Sequence, residues 1–344
     1  PEPRLQPVQV EAHIPQQALG VDLFQPRSLD ASRDLEQVAD LIEVCFASHM
    51  DADGKEYLHQ LRRLARDGAF IHRAVQVASP AHSPFSGFVW EEDGQIVGNL
   101  SLIPMSRQGQ RIYLVANVAV RDDYRRRGIG RALTQAAIQK SRRLNADACW
   151  LQVRSDNPGA IDLYASLGFV ERARRTTWLI QSRSASSRAL NPEIFVTGRL
   201  PGDWPRQKAW LEQIYPKGLL WNMSFDLDRL KPGFWNALNH FLLVEDIRHW
   251  SVRSTKHVYG FATWQPSRSF ADSIWLATDP ENEDQAILHM LPTAYRSLNS
   301  TRPVSINYPA GRGEQAFRDA GFTAHNTLLW MELPFSQTRP IILR

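Results

Sequence analysis

The sequence predicts an α/β protein with a mixed sheet, built as two related folds in tandem. Three observations carry that expectation. Residues 117–131, NVAVRDDYRRRGIGR, run from a short apolar strand through an arginine-rich turn into a helix. Residues 151–169 and 304–322 align without a gap at an offset of 153, each as strand, turn, helix and a closing Gly-Phe. At 344 residues, with 43% hydrophobic and 22% charged residues, the chain has ordinary globular composition and room for two cores.

Residues 1–19 are rich in Pro and Gln without periodicity and read as a tail. The first domain is expected over 20–180. A strand at 21–29 precedes a helix that Asp30 or Ser32 starts, with Leu35, Val38, Ala39, Ile42 and Phe46 at helical spacing. A second helix at 56–66 carries Tyr57, Leu61 and Leu64. Residues 85–104, FSGFVWEEDGQIVGNLSLIP, read as a hairpin through an Asp-Gly turn. RIYLVANVAV supplies the strand into the arginine-rich turn, and Ile129, Ala132, Leu133, Ala136, Ala137 and Leu144 form one apolar face of the helix after it. ACWLQV is continuously apolar, as central strands are. Asn157 then caps a helix, Pro158 suits its first position, and Gly168 ends it. The Ser- and Arg-rich stretch 181–192 is a linker, and 193–344 forms the second domain.

The net charge of +4 is spread over both halves, which argues against nucleic acid as the partner. No run of about 18 apolar residues occurs and the first residues lack a signal-peptide core, so no membrane span and a cytoplasmic location are expected. Cys45 and Cys149 have no neighbour at metal-ligand spacing, so buried thiols and no metal are expected. The charge exception is local. Between Arg121 and Arg143 stand eight basic residues and two acidic ones.

That stretch is built for a pyrophosphate. Gly128 and Gly130 let backbone amides approach an anion, and the helix from Ile129 points its unsatisfied N–H groups and positive dipole end there. Arg125, Arg126, Arg127 and Arg131 add forked donors. With strand, R-x-x-G-x-G, helix, strand and N-x-x-A-x-x-L-Y-x-x-x-G-F in order, the region from about 21 to 180 resembles the GNAT superfamily of acyl-CoA-dependent N-acyltransferases. The resemblance implies acetyl-CoA as co-substrate, held by Val118, Ala119, Val120, the turn and helix start from Arg125 to Arg131, and Asn157. It also implies a primary amine, on a small molecule or peptide, as acceptor by direct attack.

In that family a tyrosine in the place of Tyr164 is the general acid for the departing sulfur; the residues alone equally allow a core tyrosine, and Asn157 a plain helix cap. The motif region resembles most the N-terminal acetyltransferases of the ribosomal-protein alanine type, which carry a glutamate on the strand before the Asn. Here that position is Gln152, which accepts no proton. The base is left open among Glu91, Glu92, a water chain or a residue of the second half. A lysine-like amine of pKa ~10.4 costs about 4 to 5 kcal/mol to hold neutral at pH 7.

In the second half, at an offset of 158, Glu283, Ala286 and Leu288 stand in the places of Arg125, Gly128 and Gly130, with Asp279, Glu281 and Asp284 nearby, and at the offset of 153 Phe317 stands in the place of Tyr164. A degenerate copy that repels phosphate is expected. The rival from another class is a non-catalytic acyl-CoA-binding module whose second half binds a partner. The tryptophans of the second half, among them Trp210, Trp235 and Trp275, are expected in the core rather than in a ligand cage. Oligomeric state is left open.

Overall fold

The computed structural model describes residues 26–67, 86–107, 109–180, 190–223, 227–232, 247–267, 269–298 and 302–335. The expected tail, most of the strand at 21–29, residues 181–189 of the linker, and Trp235 lie outside them.

Local chemistry sets the first elements. Asp30 caps helix α1 (Ala31–Phe46), its side chain accepting the amide of Ser32, and Asp51 caps α2 (Ala52–Arg66) through Gly54. The second helix thus begins four residues before the expected start, because a good cap outweighs the weak helix formers Asp53 and Gly54. Leu35, Val38, Ala39 and Ile42 are buried on one face of α1, as their spacing predicts. The hairpin of β2 (Gly87–Glu92) and β3 (Gln95–Arg107) turns through Asp93 and Gly94, both at positive φ. Strand β4 (Gln110–Val120) follows, then α3 (Ile129–Arg143), β5 (Ala148–Arg154), α4 (Pro158–Ser166) and β6 (Val170–Ile180). Gly98 on β3 is required by packing, since a Cβ there would meet Ile129 Cγ2 at 2.8 Å.

The second half repeats that order: β7 (Phe195–Gly198), α5 (Trp204–Ile214), β8 (Arg248–Arg253), β9 (Val258–Gln265), β10 (Asp272–Thr278), α6 (Glu283–Ser297), β11 (Val304–Pro309), α7 (Glu314–Asp319) and β12 (Thr323–Pro334). With the two-residue β1 (Arg27–Ser28), the strands form one mixed sheet in the order β1-β2-β3-β4-β5-β12-β6-β11-β10-β9-β8-β7. Only β4/β5 and β10/β11 are parallel.

The last strand of each half is exchanged. β12 lies against β5 from Leu328↔Arg154 to Pro334↔Ala148, and β6 lies against β11 from Val304↔Ile180 to Pro309↔Arg175. Their side chains go with them. Leu329, Met331 and Leu333 of β12 fill the first-half core beside Val115, Leu151 and Tyr164. Trp178 and Ile180 of β6 fill the second-half core, where Trp178 stacks on Phe317 at 4.9 Å. Trp264 and Trp275 are buried there and Trp210 packs against it, as expected. Sequence alternation marks a strand's inward face but does not name its neighbour, so the exchange was not legible in advance.

Because each half borrows a strand, the chain is expected to unfold in one step. Chemical denaturation followed by tryptophan fluorescence and by far-UV circular dichroism should give coincident transitions, and Leu329→Ala should shift both by ~2 to 5 kcal/mol. Two separated transitions would show that the halves are independent.

Candidate active site

The site begins where two parallel strands part. β4 pairs with β5 only from Ile112↔Ala148 to Val115↔Leu151, so beyond Val115 the backbone edge of β4 that faces β5 has no strand partner. On its other side β4 stays joined to β3, through a bulge between the pairs Ser101↔Ala116 and Asn99↔Ala119. Asn117 supplies that bulge at φ 50°, a conformation asparagine tolerates. Val118 and Val120 pack into the core under α3, while Ala119 is buried on the opposite face under α1. The expected splay of β4 from the next strand thus begins before Val118.

The turn after β4 lies at its mouth. Arg126 (φ 64°) and Gly128 (φ 83°) are both left-handed, and Gly128 caps α3 with no side chain on the first-turn amides. Those amides therefore form an uncapped nest at the helix start. A Cβ on Gly128 would meet nothing within 4 Å, so glycine is needed there for its φ and not for space. Gly130 differs from expectation: a Cβ there would meet Leu163 Cδ2 at 3.5 Å and Val120 Cγ2 at 3.9 Å, ordinary contacts, and its φ is not positive. Neither close packing among the described residues nor the backbone conformation therefore demands a glycine there. Ile129 is buried and anchors the turn to the sheet.

The arginines are exposed but mostly held. Arg125 pairs with Asp122 at 2.6 Å and its Nε donates to the Val120 carbonyl at 3.2 Å. Arg127 donates to the Asp123 carbonyl at 3.0 Å and lies over the Tyr124 ring. Arg131 donates to Ser166 Oγ at 2.8 Å, tying α3 to α4. Arg126 has no such partner among the described residues. Positive charge is thus fixed around the nest rather than loose in solvent.

Tyr164 is 7% exposed, with its ring edge-on to Phe169 at 6.0 Å. Burial pushes its hydroxyl up to about 12, so it remains a proton donor through neutral pH. No hydrogen bond to that hydroxyl occurs among the described residues. Asn157 is exposed and caps α4, Oδ1 accepting the amide of Ala160 at 3.1 Å, so the cap role is present in the fold.

Residues 42–169 match the Acetyltransferase (GNAT) family. An N-alpha-acetyltransferase of Sulfurisphaera tokodaii is 34% identical over 143 residues, which cover 34% of this chain and 83% of that protein. The chain belongs to the GNAT acetyltransferase family. A [Ribosomal protein bS18]-alanine N-acetyltransferase of Escherichia coli is 44% identical over 62 residues, only 18% of this chain and 42% of the relative. Among solved structures, a GCN5-related N-acetyltransferase from Sphaerobacter thermophilus shares the fold across 91% of this chain and 96% of its own, with TM-score 0.51 and 16% identity.

On this GNAT scaffold, two of the carboxylates considered as bases are engaged in structural contacts. Glu91 binds Arg27 at 2.6 Å and Arg33 at 3.2 Å, and Arg27 also holds the buried Asp34 at 2.6 Å, fastening the start of α1 to β2. Glu92 accepts the indole N–H of Trp90 at 3.0 Å. Gln152 is half-buried on β5, opposite Trp330 of β12. Cys149 is buried as expected, its thiol pushed up to about 11 by burial, whereas Cys45 is half-buried and donates to the Val120 carbonyl at 3.5 Å. No cluster of three or more metal-ligating side chains occurs among the described residues. Nor is any of their helices long and apolar enough to cross a membrane.

The second half has the same parting of strands, and its own side chains close it. β10 pairs with β11 only at Asp272↔Val304 and Ser273↔Ser305. The amide of Leu276, aligned with Val118, donates instead to the hydroxyl of the fully buried Tyr215 at 3.3 Å. Glu283, aligned with Arg125, accepts from Tyr308 at 2.8 Å and forms an ion pair with Arg312. Phe317 is buried between Trp178, Tyr308 and Phe322. Of the acidic turn, Glu283 is spent inward and Asp279 on His257 at 2.8 Å, while Glu281 and Asp284 are exposed. No sequence signal marked Tyr215, because it lies outside the aligned segments.

Replacing Tyr215 by Phe should leave the Leu276 amide buried without a partner and lower stability by ~1 to 3 kcal/mol in chemical denaturation. An unchanged midpoint would mean that the hydroxyl does not close the gap.

Proposed function

We propose that this GNAT enzyme transfers the acetyl group of acetyl-CoA to the amine of a small molecule or peptide. In this reading residues 20–180 are the catalytic fold, and residues 193–344 are a degenerate second GNAT copy that shapes the acceptor cleft. One observation carries it: the strand gap of the first half opens onto an uncapped nest of amides, while its counterpart is filled by Tyr215 and Glu283. Acetyl-CoA supplies a thioester, already activated toward amines.

The residues of the first half fit that ligand. The amides from Gly128 to Arg131, with Arg125, Arg126 and Arg127 around them, suit a pyrophosphate. The free edge of β4 at Val118, Ala119 and Val120 suits the pantetheine arm and the thioester oxygen. Asn157 stands at the start of α4 as a further polar contact. As the amide bond forms and the carbon–sulfur bond breaks, Tyr164 gives its proton to the sulfur, and the amine's proton leaves to solvent or a water chain. The thiol, of pKa ~8.5, is a tolerable leaving group unassisted, so the phenol is worth roughly 10- to 1000-fold.

The second half supports the acceptor side. Leu219, from its segment Lys217–Asn222, packs with Ile112, Trp150 and Trp330 of the first-half sheet surface. Beside it a groove of about 410 Å³ is lined by Trp150, Arg172, Lys217 and Glu332. Trp150 and Gln152 alternate onto the same face of β5, so that groove and the strand gap share one side of the sheet.

Titration calorimetry should give one acetyl-CoA per chain and none for Gly128→Glu, where a carboxylate replaces the open space before the nest. A stoichiometry of two, or binding that survives the substitution, would remove the reading. Tyr164→Phe should lower kcat by ~10- to 1000-fold with acetyl-CoA affinity unchanged. Because burial raises the Tyr164 hydroxyl to about 12, its proton is retained as pH rises, so native activity should show no loss from this group below pH ~11. A decline near pH 9 that Tyr164→Phe abolishes would contradict that assignment of its proton.

A further inference from the structure

Helix α2 is held by both halves of the molecule. Its buried side chains, Leu58 and Leu61, lie beyond the first turn and pack into the cluster that α1 forms with the sheet. Farther along, Arg62 reaches Asp40 of α1 at 2.7 Å and also pairs with Glu43. The first turn has no such anchor, since Ala52, Asp53 and Lys55 are exposed. Its polar contacts lead to the second half instead. Asp53 Oδ1 accepts the amide of Phe270, just before β10, at 2.8 Å. Asp51 caps the helix with Oδ1 and turns Oδ2 toward Nε2 of His325 on β12, 3.6 Å away.

Both partners are fixed by bonds within their surroundings. Asp272, 2% exposed, accepts the amide of Ser267 at 3.1 Å and pairs with Arg302 at 3.1 Å. Arg302 in turn donates to the carbonyls of Ser267 and Ser269, so the segment that carries the Phe270 amide is braced. His325 stands at a bulge of β12, where the pairing with β6 shifts between Ala324 and Asn326, and bulges re-aim a side chain. One turn into α2, the Tyr57 hydroxyl accepts Nδ2–H of Asn117 at 2.9 Å. Asn117 supplies the bulge of β4 at the parting from β5. The contacts therefore run in series, from the second half through the start of α2 and Tyr57 to the edge of the gap.

A carboxylate in the first turn favours a helix through its dipole, but it does not say where the helix lies. A directed bond to a braced amide does. Resting on the proposed catalytic role of the first half, we propose that Asp53 and His325 are positioning residues through which the second half sets the place of α2 against the strand gap. They thereby govern how tightly an amine is held there, without touching the amine or the nest that starts α3.

The test sets Asp53→Ala with His325→Ala against Asp53→Asn with His325→Gln. The second pair removes the carboxylate and the imidazole but keeps an acceptor for the Phe270 amide and a donor toward Asp51. Hydrogen exchange read by mass spectrometry should be about 5-fold faster over residues 52–61 in the alanine pair, and within about twofold of native in the amide pair. Exchange over α3 should be unchanged in both. The side-chain amide signal of Asn117, assigned in nitrogen-15 spectra by its loss in Asn117→Ser, should move in the alanine pair only. With glycinamide as probe amine and saturating acetyl-CoA, free-thiol release should show KM raised about 3- to 10-fold in the alanine pair and kcat within about twofold.

Unchanged exchange over α2, or an Asn117 signal that stays in place while α2 exchanges faster, would overturn the assignment. So would an amide pair that behaves like the alanine pair, because first-turn charge and not the contact would then be at work. A fall in kcat or in acetyl-CoA affinity without a rise in KM would overturn it as well. If the native protein transfers no acetyl to glycinamide, the proposed activity toward this amine fails, and the exchange and the Asn117 signal still decide the positioning.

Discussion

The exchange of β6 and β12 is the constraint on which the rest of the molecule depends. Each strand hydrogen-bonds along both edges to strands of the other half, β6 to β11 and β12, and β12 to β5 and β6, and each carries core side chains into the half to which it does not belong in sequence. Arg175 of β6 illustrates the reach of this arrangement. Its guanidinium, 2% exposed, donates to the Ile214 carbonyl at 2.8 Å and to the Asn307 carbonyl at 3.0 Å, and lies over the Tyr215 ring at 5.0 Å. A first-half strand thus positions the side chain that closes the second half's gap. In return, β12 backs β5, the wall of the first half's gap.

Two parallel strand pairs that part after a few residues pose the same physical problem twice. Diverging strands leave main-chain groups without a ladder, and such groups must be met by a ligand, water or a side chain. The second half meets the need internally, with a tyrosine hydroxyl on Leu276 and a carboxylate bound by Tyr308 and Arg312. In the first half the side chains that reach β4 beyond the pairing are Arg125 and Cys45, both at the Val120 carbonyl, and the turn beyond leaves its first-turn amides without a side-chain cap, Gly128 standing there at a left-handed φ. The same backbone plan is closed by a tyrosine and a carboxylate in one half and left with uncapped helix amides in the other.

Around the parting of β4 and β5 the polar groups are neutral or already paired. Gln152 carries no charge, and Glu91 and Glu92 are engaged by Arg27, Arg33 and Trp90. Tyr57, Ser101 and Asn117 are joined there by hydrogen bonds rather than charge, and the fully buried Asn99 holds the Asn117 carbonyl from within.

Periodicity, caps and turn chemistry are local, and they were legible. Asp30 and the Asp-Gly hairpin stand where the residues alone put them, as does the arginine-glycine turn opening a helix. The replacement of an arginine, a glycine and a tyrosine by Glu283, Ala286 and Phe317 in the second half is likewise local to the sequence. What the sequence by itself determined is therefore the GNAT fold with its mixed sheet, and the local elements that build it. Tertiary structure alone decided the strand exchange, the closure of the second gap by Tyr215, the withdrawal of Glu91 into an ion-pair network, and the hydrogen bond from Asn117 to Tyr57. Each of these joins residues tens to hundreds of positions apart. Side-chain alternation says which face a residue occupies, but not which distant strand, arginine or amide will stand beside it.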